Sequence, residues 1–286
     1  MRRVSVICRF ADGRLHLQDG PIDLIIGADG TPKAVETAYA AAAGRFATIL
    51  DELCAELSLL RRHAEISQPP EGGVARRMWN AVLPFASDCF ISPMAAVAGS
   101  VAEEILGAMT AAAELRKVYV NNGGDIALLL APGESFDIGM IDRPDRPHIY
   151  GTMRLRAEQG VRGIATSGWR GRSFSLGIAD AVTVLAATAS MADAAATIIT
   201  NAVDLPDHPG IKRMPAKDLD LQSDLGDRLV TVDVADLTEA EIGRALQAGA
   251  HAAEHCRNSC LIHAAVLHLK GSSMQIDGTV RLTAAA

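Results

Sequence analysis

Residues 179–201 read ADAVTVLAATASMADAAATIITN, and how this stretch divides decides the fold. The first part, AVTVLAA (181–187), is a short β-rich segment. The second part, ADAAATIITN (192–201), has helical spacing. Positions four apart share a helix face, so Asp193, Thr197 and Asn201 form one polar stripe among alanines and isoleucines. The segments before it are also short and β-rich: KVYVNN (117–122), IALLLA (126–131), FDIGMID (136–142), GTMRLRA (151–157) and GIATSG (163–168).

Farther upstream, Ser92-Pro93 opens the small-residue helix PMAAVAGSVAEEILGAMTAAAEL (93–115). Thr31 and Pro32 open a long helix that runs to His63, SQPPEGG (67–73) breaks the chain, and a short helix follows around RRMWNAVLPF (76–85). The start reads as strands joined by tight turns: VSVICRF (4–10), ADGR (11–14), LHLQDG (15–20), then PIDLIIG (21–27) with a second ADG turn. Downstream, 204–227 is proline- and aspartate-rich and reads as a surface excursion. LVTVDV (229–234), a helix capped by Thr238, LIHAAVLHLK (261–270) and TVRLT (279–283) complete the pattern. Strands in runs with long helices between them predict an α+β fold, a single domain over 1–286 with a largely antiparallel sheet packed by small-residue-rich helices.

The chain has 286 residues, 49% hydrophobic and 21% charged, which is ample for a continuous core. A net charge of −7 without a basic block argues against nucleic acid or an anionic membrane as partner. Five scattered cysteines form no disulfide framework. No targeting segment is read in MRRVSVICRFADG (1–13), and no uninterrupted apolar stretch has the length of a membrane helix, so the expected location is the cytoplasm. A homo-oligomer is compatible with all of this.

Four constellations carry chemistry. The stripe of Asp193 and Thr197 supplies two oxygen ligands of the kind Mg²⁺ takes, or else a helix-dipole aspartate and a back-bonded threonine. NNGGD (121–125) joins two apolar strands, and Gly123-Gly124 frees backbone N–H groups to approach a phosphate; the alternative is a plain turn. ATSGWRGRSFSLG (165–177) places Thr166, Ser167, Gly168, Arg170 and Arg172 in one loop suited to a phosphate, with Trp169 available to stack on a ring; a solvated hairpin loop is equally economical. HAAEHCRNSC (251–260) sets His251, His255, Cys256 and Cys260 at helical spacing, but not at that of the zinc-protease motif, and leaves open zinc or packing. No phosphate-binding G-x-x-x-x-G-K-[ST] loop, dinucleotide fingerprint or nucleophile elbow is present.

Taken in order, SPMAAVAGSVAEEI, VNNGGDI, ATSG and ADAVTVLAATASMADAAAT resemble the ApbE-like superfamily, whose best-known members are FAD-dependent protein FMN transferases. The chain is most similar to a cytoplasmic branch labelled only as an uncharacterised protein family. The resemblance implies the ApbE-like fold and Mg²⁺ on Asp193 and Thr197 with a backbone carbonyl near Ala95 or Ala96. It further implies a flavin, FAD or FMN, or another phosphorylated ring-containing ligand along Asn122, Gly123, Gly124 and Asp125. The implied activity is transferase-like; the alternatives are a non-catalytic flavin-binding protein or an accessory of pterin-linked one-carbon cofactor metabolism. Two departures stand out. MAAVAG (94–99) lacks the lysine of the transferases' A-K-G segment, and the interval around His148 lacks their His-x-x-Pro-x-x-Gly pattern. Weak or absent flavin transfer to the usual acceptor proteins is therefore expected.

Overall fold

A computed structural model describes residues 6–141, 148–276 and 282–284. Val4, Ser5, Asp142 and residues 279–281 of the expected strands, and segment 143–147, lie outside the described residues. In chain order, β1 (Val6–Arg9), β2 (Leu15–Asp19) and β3 (Ile22–Asp29) lead into α1 (Pro32–Ala55) and the single turn α2 (Leu57–Leu60). Next come α3 (Gly73–Val82), α4 (Val97–Ala112), β4 (Lys117–Asn122) and β5 (Asp125–Leu130). β6 (Ser135–Ile141), β7 (Ile149–Arg156), β8 (Gly163–Ser167) and β9 (Ala181–Ala186) precede α5 (Ala189–Ala202). The rest is β10 (Ile211–Pro215), α6 (Ala216–Leu219), β11 (Leu229–Val234), α7 (Glu239–Asn258), β12 (Ala264–Leu269), β13 (Ser272–Ile276) and β14 (Leu282–Ala284). This is the α+β class, and the recorded strand registers are antiparallel.

Two compact units share these elements. The first comprises Met1–Ser135, Arg156–Ala165 and Ala187–Asp193. Its strands follow the order β1-β2-β3-β4-β5-β8. Alternation along β2 and β3 sends Leu15, Leu17, Leu24 and Ile26 to one buried face. α1 buries Tyr39, Ala42, Phe46, Ile49 and Leu53, a stripe of helical period, and packs on α4. Each such large apolar side chain contributes roughly 1.5–3 kcal/mol. Thr31 caps α1 as expected, accepting from the Ala34 N–H at 3.2 Å. The helix then stops at Glu56 rather than His63, because Glu56 leaves helical geometry and its carboxylate instead accepts from the N–H groups of Glu71 and Gly72. Pro93–Ala112 is the one stretch among the described residues long and apolar enough to cross a membrane. Its buried face and the ion-paired Glu104 make it a core helix.

The second unit comprises Phe136–Leu155, Thr166–Ala186 and Ala194–Ala286. It contains the neighbours β9-β12-β13, the pair β10-β11, and the three strands β14-β7-β6. Two strands depart from the sequence reading. Segment 204–227 is not wholly an excursion: β10 pairs β11 across a bulge at Lys212/Arg213. β13 also forms, because Lys270-Gly271, both at positive φ, turn the chain back on β12. Thr238 caps α7 in a capping box with Glu241. The Glu241 carboxylate accepts from the Thr238 N–H (2.8 Å) and hydroxyl (2.7 Å) and meets His208, which holds its pKa down at about 2. That stabilisation is present above the ordinary carboxylate range and is lost as pH falls toward 2. An NMR titration should find Glu241 there, and Thr238→Val should move it up toward an ordinary glutamate. An unchanged midpoint in the variant would show that the cap does not set it.

Candidate functional site

In the first unit the expected residues Asn122 and Asp193 meet the two ends of one peptide. The two-residue loop Gly123-Gly124 has φ of 66° and 116°, values natural to glycine, and closes the β4–β5 hairpin with Asn122 opposite Asp125. The hairpin's Asn122 is buried and donates from Nδ2 to the Ala98 carbonyl at 3.1 Å. On the other side of that peptide, the Gly99 N–H donates to Asp193 Oδ2 at 2.9 Å. The peptide joining Ala98 and Gly99, in the first turn of α4, is therefore held from both ends. Asp193 caps α4 from another helix, which suits a carboxylate at a positive helix end.

Its charge is nevertheless disfavoured. Dense packing around the carboxyl pushes the Asp193 pKa well above the usual carboxylate range. The nearby Asp125 carboxylate pushes the same way, and the N–H groups of Gly99 and Ala98 offset only part of this. Asp193 as a residue is half-buried, and burial falls on its carboxyl.

A reciprocal cap reinforces the arrangement. Glu103 of α4 accepts from the Ser190 N–H (3.2 Å) and hydroxyl (2.9 Å) at the start of α5. Glu103 also pairs with Arg77 at 3.1 Å; Arg77 meets Glu104 at 2.8 Å, and Arg45 joins Glu104 and Glu52, each at 2.7 Å. Burial raises the Glu104 pKa, but the two arginines outweigh it and hold the group below its ordinary value. Sequence reasoning missed this set, because its partners stand far apart along the chain. The acidic pair EE (103–104) inside an apolar helix was the available signal.

The remaining expected site residues are placed as follows. The Gly124 N–H is taken by the Asn121 side chain at 2.8 Å, so it is not free for a phosphate. Thr197 stands one turn along α5 from Asp193 and is half-buried. Ala95 is half-buried in the 3-10 turn Pro93–Ala96 that precedes α4. Asn201, last of the stripe, accepts from the Leu176 N–H at 2.9 Å and so holds a loop of the second unit.

Loop 166–172 lies in that unit. Thr166 Oγ1 is 2.9 Å from Thr183 Oγ1, and Ser167 is half-buried. An added Cβ on Gly168 would stand 2.2 Å from the Asp180 carbonyl, so close packing explains this glycine. The Arg170 guanidinium lies 3.9 Å from the Trp169 ring centroid, with Nε 3.7 Å from Asp180, whereas Arg172 is exposed. The ring of Trp169 is thus already covered on one face.

Zinc is not supported at residues 251–260. Among the described residues no group of three or more His, Cys, Asp or Glu is placed to hold a metal. Cys256 is buried, with its thiol pushed up to about 11, while His251, His255 and Cys260 are exposed. A groove of about 810 Å³ in the first unit, lined by Asp29, Lys33, Ala112 and Arg116 among others, shares no residue with the Asp193 set.

A family model described as AbpE bacteria matches residues 7–281. A UPF0280 protein of Methanopyrus kandleri is 43% identical over 129 residues, 45% of this chain and 48% of that protein. One from Methanosphaerula palustris is 39% identical over 148 residues, 48% of this chain and 54% of that protein. The chain spans about half the length of these curated relatives. Among solved structures, the apo flavinyl transferase ApbE of Pseudomonas stutzeri is similar with a TM-score of 0.44 at 11% identity, covering 96% of this chain and 93% of that one. The apbe protein of Thermotoga maritima is similar with a TM-score of 0.43 at 12% identity, covering 95% and 97%.

Proposed function

The chain belongs to the family described as AbpE bacteria, and from that premise we propose that it binds a phosphorylated, ring-containing ligand of the flavin class, FAD or FMN, together with Mg²⁺. One observation carries the reading. Asp193 Oδ2 is fixed 2.9 Å from the Gly99 N–H at the start of a helix, although burial and the Asp125 charge disfavour its ionised form. A carboxyl held where its charge is disfavoured is a donor that a hard cation would favour.

The donor chemistry suits Mg²⁺: Asp193 carries a carboxylate oxygen, and by the resemblance Thr197 would add a hydroxyl and the turn at Ala95 a backbone carbonyl. When bound, the ion neutralises the phosphate charge of the ligand and polarises its phosphoryl oxygens. The chain's own work is positional. Asn122 and Asp193 fix the peptide at the start of α4, and the Glu103–Ser190 cap holds α5 beside it. The loop containing Gly168, Arg170 and Arg172 is the phosphate candidate of the second unit, with Arg172 exposed at its end. Cytoplasmic location belongs to the same proposal, as does a homo-oligomeric state.

A second reading, flavin binding without transfer, is favoured by the lysine-free run MAAVAG (94–99). Thermal melts with EDTA, with Mg²⁺, and with Mg²⁺ plus FAD or FMN test both. A site that is filled at about 100 times its Kd gains about 2.7 kcal/mol. The expected result is an upward shift with Mg²⁺ that grows with flavin and shrinks in Thr197→Val. No shift under any of these conditions would end the proposal. Covalent FMN appearing on an acceptor protein would decide for transfer.

A further inference from the structure

On the opposite face of the first unit's sheet from its buried leucines, three side chains on adjacent strands line up. β1 and β2 pair with Cys8 opposite His16, and β2 and β3 pair with His16 opposite Ile25, which leaves Asp23 diagonal to His16 on the same face. Cys8 Sγ is 3.6 Å from His16 Nδ1, and His16 Nε2 is 2.8 Å from Asp23 Oδ1. A carboxylate only accepts, so Asp23 places the ring proton on Nε2 and leaves the Nδ1 lone pair facing the thiol. The ring is further held by Phe10, stacked at 5.6 Å between centroids and 12° between planes, with the Arg14 guanidinium over Phe10. Because the thiol and the carboxylate address opposite nitrogens, they cannot converge on one ion, and no metal reading applies. The order nucleophile, base, orienting carboxylate is that of an activated thiol.

We infer that Cys8 is a nucleophilic thiol served by His16 and Asp23, and a site of reversible modification by small disulfides. The chemistry balances as follows. The Cys8 thiol proton passes to His16 Nδ1, and the sulfur attacks one sulfur of a low-molecular-weight disulfide. The S–S bond of the reagent breaks, and the departing thiolate takes the proton back from the imidazolium. The products are a Cys8 mixed disulfide and one free small thiol, so the cysteine is oxidised as the reagent is reduced. Cys8 is exposed on the terminal strand of the order β1-β2-β3-β4-β5-β8, which gives the reagent open access. This reading is independent of flavin or Mg²⁺ binding.

The chain carries its own controls, because Cys54 and Cys260 are also free and exposed. At about neutral pH, iodoacetamide should label Cys8 at least about tenfold faster than either, as read by peptide mass spectrometry. His16→Gln should bring Cys8 to within about twofold of them, and Asp23→Asn should slow it by about threefold or more. Glutathione disulfide should add first to the Cys8 peptide, and a reducing agent should remove it. Circular dichroism establishes that the variants are folded. Equal labelling of Cys8, Cys54 and Cys260 in the wild type would overturn the inference whatever the variants do. An unchanged Cys8 rate in folded His16→Gln would overturn it as well.

Discussion

Asp193→Asn is expected to melt higher than the wild type in EDTA at neutral pH, and lower than the wild type once Mg²⁺ is added. The first half follows from the balance of forces on the carboxylate. Burial and the Asp125 charge raise its pKa well above the ordinary value, and the N–H groups of Ala98 and Gly99 do not compensate. A raised pKa in the folded state means stability that is complete below the ordinary carboxylate range and lost as pH rises through the raised value. Each unit of elevation costs about 1.4 kcal/mol at a pH above both values. Asparagine removes that cost while its side-chain carbonyl still accepts from the Gly99 N–H. A gain of about 1 kcal/mol corresponds to roughly 2–4 °C for a chain of this class. The gain should shrink as pH is lowered, because the wild-type carboxyl then takes up its own proton. The second half follows from the proposed Mg²⁺ site, whose ion would stabilise only the ionised wild type. If Asp193→Asn melts lower even in EDTA, the residue is a helix cap and the metal reading loses its motive.

The features legible in the sequence were the local ones. Thr31 and Thr238 announced their helices because a cap and its N–H partners lie within three residues. Gly123-Gly124 announced a hairpin because glycine takes positive φ without a Cβ clash, here at two positions in succession. The features that escaped depend on distance along the chain. Asp193 meets Gly99 across 94 positions, and Ser190 meets Glu103 across 87, so neither cap leaves a local signature. The Cys8–His16–Asp23 line lies between these extremes. A hairpin centred on Asp12 pairs Cys8 with His16 by simple counting, and that register was available from the ADGR turn. Arg170 has contacts that the sequence did not announce: its guanidinium lies over Trp169, with Nε 3.7 Å from Asp180.

Gly99→Ala should destabilise the protein although it improves a helix. Placed in a helix interior, alanine is favoured over glycine by about 0.5–1 kcal/mol, so propensity alone predicts a higher melting temperature. Packing predicts the reverse. A Cβ at position 99 would stand 2.3 Å from the Ala189 carbonyl oxygen, 2.6 Å from its carbon and 3.0 Å from Asp193 Cβ. Two of these neighbours are backbone atoms at the start of α5 and cannot swing aside as a flexible side chain would. The first turns of α4 and α5 must separate, which stretches the Asp193 bond to Gly99 and the Ser190 bonds to Glu103 together. Overpacking of this kind costs about 1–3 kcal/mol, and strained caps add to it, for a net loss of about 2–4 kcal/mol. The melting temperature should fall by roughly 4–16 °C. Gly107, farther along the same helix, is the control: nothing lies within 4 Å of its added Cβ, so Gly107→Ala should be stabilising. If both alanines raise the melting temperature, propensity governs both positions and the close approach at Gly99 does not hold the two helix starts together. If only Gly99→Ala lowers it, the same variant should also weaken any response to Mg²⁺, because the carboxylate of Asp193 loses the N–H that fixes it.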